Sequence, residues 1–261
     1  MKATKNQIEI MKKERLGETK NNEYGNKMTI IEYINSHNVK IKFENGYITK
    51  SDYRNFKKGI IRSPYDRRIY EIGYIGEGKY QSTVDLRATQ QYDAWNSMLK
   101  RCYSEKVHVR HPTYKDCTVC EEWHNFQNFA KWYDENYYEV EDQEMCLDKD
   151  ILVKGNKVYS PDTCIFVPER INILFVKGDS KRGDLPIGVS FHKISGKYTA
   201  QCNQNNKKTY LGLYDVIEDA FYFGYKPYKE KLIQQIADEY KDQIPKKLYD
   251  AMYSYIVEIT D

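Results

Sequence analysis

Residues 196–215, GKYTAQCNQNNKKTYLGLYD, alternate apolar and polar side chains over two short runs joined by a polar tip. A period of two puts Tyr198, Ala200 and Cys202 on one face and Lys197, Thr199, Gln201 and Asn203 on the other. This part of the chain is therefore expected to form short antiparallel strands, roughly 187–193, 197–204 and 207–213. A helix from about 215 to 240 follows, and Pro227 inside it should kink or split it. A polar sheet face is often only solvated, so the alternation alone assigns no role.

Elsewhere the patterns change along the chain. The first 20 or so residues are polar and charged and read as a mobile arm or a short solvated helix. Val39, Ile41 and Phe43 alternate with Lys40, Lys42 and Glu44 before an Asn-Gly turn, which predicts a hairpin over 38–50. Tyr92, Trp95, Met98, Leu99 and Cys102 recur at helical spacing within 88–103. Trp123, Phe126, Phe129, Ala130 and Tyr133 do so in a second helix. Both stripes read as core. Residues 145–175 read as two strands around Gly155-Asn156, followed by a helix or loop, and VKGDSKRGDLP reads as a linker near residue 180.

The net charge of +3 conceals segregation: +8 over residues 1–70, −6 over 71–176, +5 over 177–214 and −4 over 215–261. Two basic blocks separated by acidic ones fit a protein that touches a polyanion at two places. No apolar run approaches the roughly 18 residues of a membrane span, and the N-terminus has no signal-peptide pattern, so a cytoplasmic location without membrane contact is expected. Six scattered cysteines in a chain of 261 residues read as reduced thiols.

Gly188-Val189, Gly196-Lys197-Tyr198, Ala200, Tyr210-Leu211-Gly212, Glu218 and Ala220 give residues 185–235 a pattern that resembles the Apetala-type (ethylene-response-factor) DNA-binding domain. Relatives of that domain occur in nucleases of phages and mobile elements. The resemblance implies a three-stranded sheet laid in the major groove with a helix behind it. Ser190, His192, Gln201, Asn203, Lys208 and Tyr210 would then face DNA, with Lys193, Lys197 and Lys207 nearby. Ser190, His192 and Asn203 stand where arginine is usual, so no base preference carries over. Independently of the resemblance, Gln and Asn suit adenine edges and flanking lysines suit phosphates.

The segments YDAWNSMLKRCY, TVCEEWHNFQNFAKWY and LDKDILVKGNKVYSPDTCIFVPERIN, spanning about 90–175, resemble a degenerate HNH nuclease module. An active site of that family needs a histidine base and a metal ion. Lys149 stands where the histidine is expected, leaving Asp148, Lys149 and Asp150 as catalytic candidates and Asp148, Asp150 and Asp162 as candidate Mg²⁺ ligands. Cys102, His108, His111, Cys117 and Cys120 lie within 19 residues and contain one Cys-x-x-Cys, a weak zinc signal; buried thiols explain these positions equally well.

The expectation is an α+β chain with a basic N-terminal arm and small β-domain (1–75), a degenerate HNH-like α+β module (76–178) and an Apetala-type three-stranded DNA-binding domain with C-terminal helices (179–261). Its expected function is double-stranded DNA binding by a phage-encoded protein without cleavage, with no cofactor and an open oligomeric state. The alternatives are an HNH-type endonuclease using Mg²⁺ and an anti-defence protein that contacts a host protein.

Overall fold

The structure, a computed structural model, describes residues 5–176, 183–204 and 207–261. They form an α+β protein in two compact units, one extending to Glu135 and the other from Asn136 to Asp261. The boundaries expected near 75 and 178 both lie inside these units. Among the described residues, no helix is long and apolar enough to cross a membrane.

The first unit opens with α1 (Lys5–Arg15) and a four-stranded antiparallel sheet in the order β1 (Thr19–Asn21), β2 (Lys27–Asn35), β3 (Asn38–Phe43), β4 (Ile48–Ser51). The Asn-Gly turn closes the expected hairpin, Gly46 donating to the Phe43 carbonyl and Phe43 to that of Tyr47. Alternation, shifted by one residue at an irregularity of β2 between Ile30 and Glu32, buries Met28, Ile30, Tyr33, Val39, Ile41 and Phe43 on one side. There they meet Phe56 of α2 (Tyr53–Lys58) and Ile61. α1 is more than a solvated arm. Met11 packs against this core, and the Arg15 guanidinium lies 3.9 Å from the Tyr53 ring centre and donates to the Tyr33 hydroxyl. The expectation for residues 1–4 lies outside the described residues.

Both helical stripes are core. Thr89 caps α3 (Gln90–Tyr103), its hydroxyl accepting from the Tyr92 N–H at 3.3 Å. Trp95, Met98, Leu99 and Cys102 of α3 are buried, as are Phe126, Phe129, Ala130, Trp132 and Tyr133 of α4 (Phe126–Asn136). The Trp95 indole N–H donates to the Trp123 carbonyl at 2.7 Å, so the one polar atom of a fully buried ring is satisfied.

The second unit has one core that runs from the segment after α4 to the C-terminal helices, joining Val140, Ile165 and Val167 to Ala200, Phe221 and Ile233. The hairpin expected around Gly155-Asn156 does not form. β5 (Met145–Asp148) instead pairs antiparallel with β6 (Ile165–Pro168), Asp148 opposite Ile165. The reason is local: the Asp148 carboxylate accepts from the N–H groups of Asp150 and Ile151, which turns the chain out of the strand.

The C-terminal sheet runs β7 (Val189–His192), β8 (Lys197–Gln204), β9 (Lys207–Tyr214), close to expectation. Part of the expected linker, 177–182, and part of the polar tip, Asn205-Asn206, lie outside the described residues. Behind the sheet, residues 217–225 lead into α5 (Lys226–Tyr240) through a π-helical stretch, Ala220–Tyr225, and α6 (Lys246–Tyr253) follows. Pro227 explains the break, since it has no N–H to give the preceding turn and its ring crowds the carbonyl four residues back.

Candidate nucleic-acid interface

Side-chain periodicity and strand register build the candidate surface. Val189 lies opposite Ala200, and Ala200 opposite Gly212; Val189, Ala200 and Cys202 are buried in the core with Phe221 and Ile233. The other face therefore points away from the helices. Its rows are His192 with Lys197; Ser190 with Thr199 and Leu213; Gln201 with Tyr210; and Asn203 with Lys208. Six of the expected DNA-facing residues, Ser190, His192, Gln201, Asn203, Lys208 and Tyr210, thus share one surface. Tyr210, 66% exposed, stands at its middle.

Polar contacts on this face are sparse. Gln201 approaches the Ser190 hydroxyl at 3.4 Å, the His192 ring lies 2.7 Å from the Ser195 hydroxyl, and Lys197 pairs with Asp215 at 2.9 Å. Both pairs involving charged or titratable groups are at the solvent edge, where they contribute little stability. Two of the expected flanking lysines stand apart. Lys193 is in the turn between β7 and β8, and Lys207, opposite Gln204, is on the helix-facing side of the sheet.

Alternation misses Leu213. Counting by twos from Lys208 puts Gly212 and Tyr214 outside. A β-bulge between Tyr210 and Gly212 shifts the register by one, so Leu213 joins the outer face at 38% exposure and Tyr214 packs against the core. The available signal is Gly212, whose φ of +131° side-chain-bearing residues rarely adopt.

Close helix-sheet approach keeps this surface in place. A Cβ on Gly224 would lie 2.5 Å from the Ala200 Cβ, and one on Gly188, at φ +76°, would enter the Tyr225 ring. Beneath the sheet, burial pushes the Cys202 thiol up and the Lys229 amine down, each influenced by the other's charge; Lys229 is only 8% exposed.

The other candidate residues are not gathered into a site. Asp148 holds the turn described above, and burial first, then the Asp150 charge, raises its carboxyl above the ordinary range. The buried Lys149 places its ammonium 3.3 Å from the Asp150 carboxylate. Asp162 is exposed in the turn after Pro161. These donors do not fit a catalytic divalent cation: the Asp148 carboxylate is committed to backbone N–H groups and that of Asp150 lies against the Lys149 ammonium. In the cysteine segment, Cys102 and Cys117 are buried, the His108 ring nitrogen lies 3.0 Å from the Arg101 carbonyl, and His111 is exposed. Cys120 is half-buried. Among the described residues, no group of three or more His, Cys, Asp or Glu side chains is placed to hold a metal ion.

No protein-family model, curated protein or solved structure matches the chain.

Proposed function

We propose that the chain binds double-stranded DNA by laying the outer face of β7–β9 in the major groove. The observation that carries this reading is the gathering of Ser190, Thr199, Gln201, Asn203, Lys208 and Tyr210 on the face of this sheet that points away from the helices. Three strands spaced about 4.8 Å apart make a surface roughly 10 Å across, which fits a groove about 12 Å wide. Gln201 and Asn203 carry the amides that pair with adenine, Lys208 suits guanine or phosphate, and Leu213 with Tyr210 offers apolar contact to a thymine methyl. Asp148 and Lys149 have structural roles in this reading, and no cleavage step is assigned to the chain.

The test is selection of a preferred duplex from a random pool, then titration of that duplex and a scrambled one at fixed salt. Gln201→Ala and Asn203→Ala should each lose about 1–3 kcal/mol at the preferred duplex and little at the scrambled one. If selection recovers no duplex, or both variants bind like the parent, the face is not a reading head. A host protein would then be the partner to seek.

A further inference from the structure

The first unit carries a second sheet whose solvent face breaks an ordinary rule of strand pairing. Lys40 on β3 lies directly opposite Lys50 on β4, and Lys42, two residues along β3, shares their face opposite Thr29 and Ile48. Like charges directly opposite each other in an antiparallel pair disfavour the sheet. Protection of an exposed sheet edge accounts for Lys50 on β4, but β3 is an interior strand, paired with β2 and β4, and has no edge to protect. Glu32 lies opposite Lys40, and Glu44 follows at the end of the strand, yet among the described residues none of the three lysines makes an ion pair with a carboxylate. α1 and α2 contribute Met11 and Phe56 to the other side, so neither covers this face.

We infer that the Lys40, Lys42 and Lys50 face is a second contact surface, one that grips the phosphate backbone of a DNA duplex without reading its sequence. Cross-strand and next-but-one neighbours in a sheet lie about 5–7 Å apart, so three ammonium groups confront a polymer carrying one charge per roughly 1.7 Å of axis. Lysine on a flexible stem can follow phosphates, and it brings no base discrimination. The inference rests on the duplex-binding reading of the second unit, and the salt dependence of binding separates the two.

The experiment uses the full chain with the selected and scrambled duplexes, measuring affinity across a salt series for the parent, Lys40→Gln/Lys42→Gln/Lys50→Gln, the matching triple arginine variant, and Gln201→Ala/Asn203→Ala. Each phosphate contact adds about 0.9 to the slope of log affinity against log salt, so the triple glutamine variant should lower that slope by about 2.7. It should weaken both duplexes equally and leave their ratio intact, while the arginine variant keeps the parental slope. Gln201→Ala/Asn203→Ala should reduce the ratio and keep the slope. A triple glutamine variant with the parental slope overturns the lysine face and leaves the reading of β7–β9 standing. Loss of the ratio in that variant with an unchanged slope also overturns it. A parent that binds neither duplex removes both proposals, and unchanged far-UV circular dichroism with a urea midpoint no lower than the parent's excludes misfolding of the variants as the cause.

Discussion

Gly224 sits where the π-helical stretch crosses the C-terminal sheet, and Gly224→Ala puts its new Cβ 2.5 Å from the Ala200 Cβ. Ordinary carbon contacts are roughly 3.5–4 Å, so the overlap is about 1 Å or more, and the alanine methyl has no torsion that moves it aside. Overpacking of this kind costs typically about 1–3 kcal/mol, against which removing a helical glycine returns at most about 1 kcal/mol. Net destabilisation of about 1–2 kcal/mol is expected for Gly224→Ala. Ala200→Gly alone should lose about 1.5 kcal/mol, from one buried methyl and a freer strand backbone. The double variant moves the methyl from sheet to helix. It removes the clash, and the Tyr214 ring, 3.1 Å from the new Cβ, needs to shift by only a few tenths of an ångström. Its loss should therefore stay near about 1 kcal/mol, well short of the sum of the single variants. Urea unfolding of the parent and three variants gives the coupling energy directly from midpoints at constant m-value. Additive losses, or a Gly224→Ala variant as stable as the parent, would refute the contact as the reason for glycine.

Three further outcomes follow from the buried polar groups. Asp148→Asn keeps an oxygen for the Asp150 and Ile151 N–H groups and removes a half-buried, desolvated charge. Because the folded-state pKa is raised, the parent's carboxyl contributes stability below the unfolded value of about 4 and loses it as pH rises through the folded value. Parent and Asp148→Asn should therefore have matching urea midpoints below about pH 4. At neutral pH the variant should be the more stable, by at most about 1.4 kcal/mol for each pH unit between the two pKa values. Lys229→Met should stabilise by about 1–3 kcal/mol at neutral pH. The depressed Lys229 pKa makes the unfolded chain the stronger proton binder between the folded value and the ordinary lysine range, so parental stability should rise with pH across that window and the methionine variant should lack this rise in pH-dependent melts. Cys202→Asp, at a site 2% exposed between sheet and helices, should abolish cooperative unfolding of the second unit in the same melts.

Much of the fold was legible because its signals are local. Asn45-Gly46 closes the first hairpin, Thr89 caps α3, and the alternation from Lys197 to Asn203 sets which side of β8 is buried. Those features depend on neighbours a few residues apart in the chain, and the last of them places Lys197, Thr199, Gln201 and Asn203 on the outer face, whereas Ser190, His192, Lys208 and Tyr210 are expected there only from the family resemblance. Strand partnership is different. The Asp148 turn ends β5, but that β5 then pairs with β6 across 16 intervening residues, and not across Gly155-Asn156, goes with the burial of Ile165 and Val167 in the core of the second unit. The bulge that turns Leu213 outward answers the pairing of β9 with β8, which no single-strand pattern encodes. Likewise, Lys40 and Lys50 are ten residues apart and unremarkable as text; only the register of β3 with β4 makes them neighbours. Periodicity assigns a face to each strand, because side chains alternate whatever the partner, whereas register and close approach are settled by packing energy summed over the whole core.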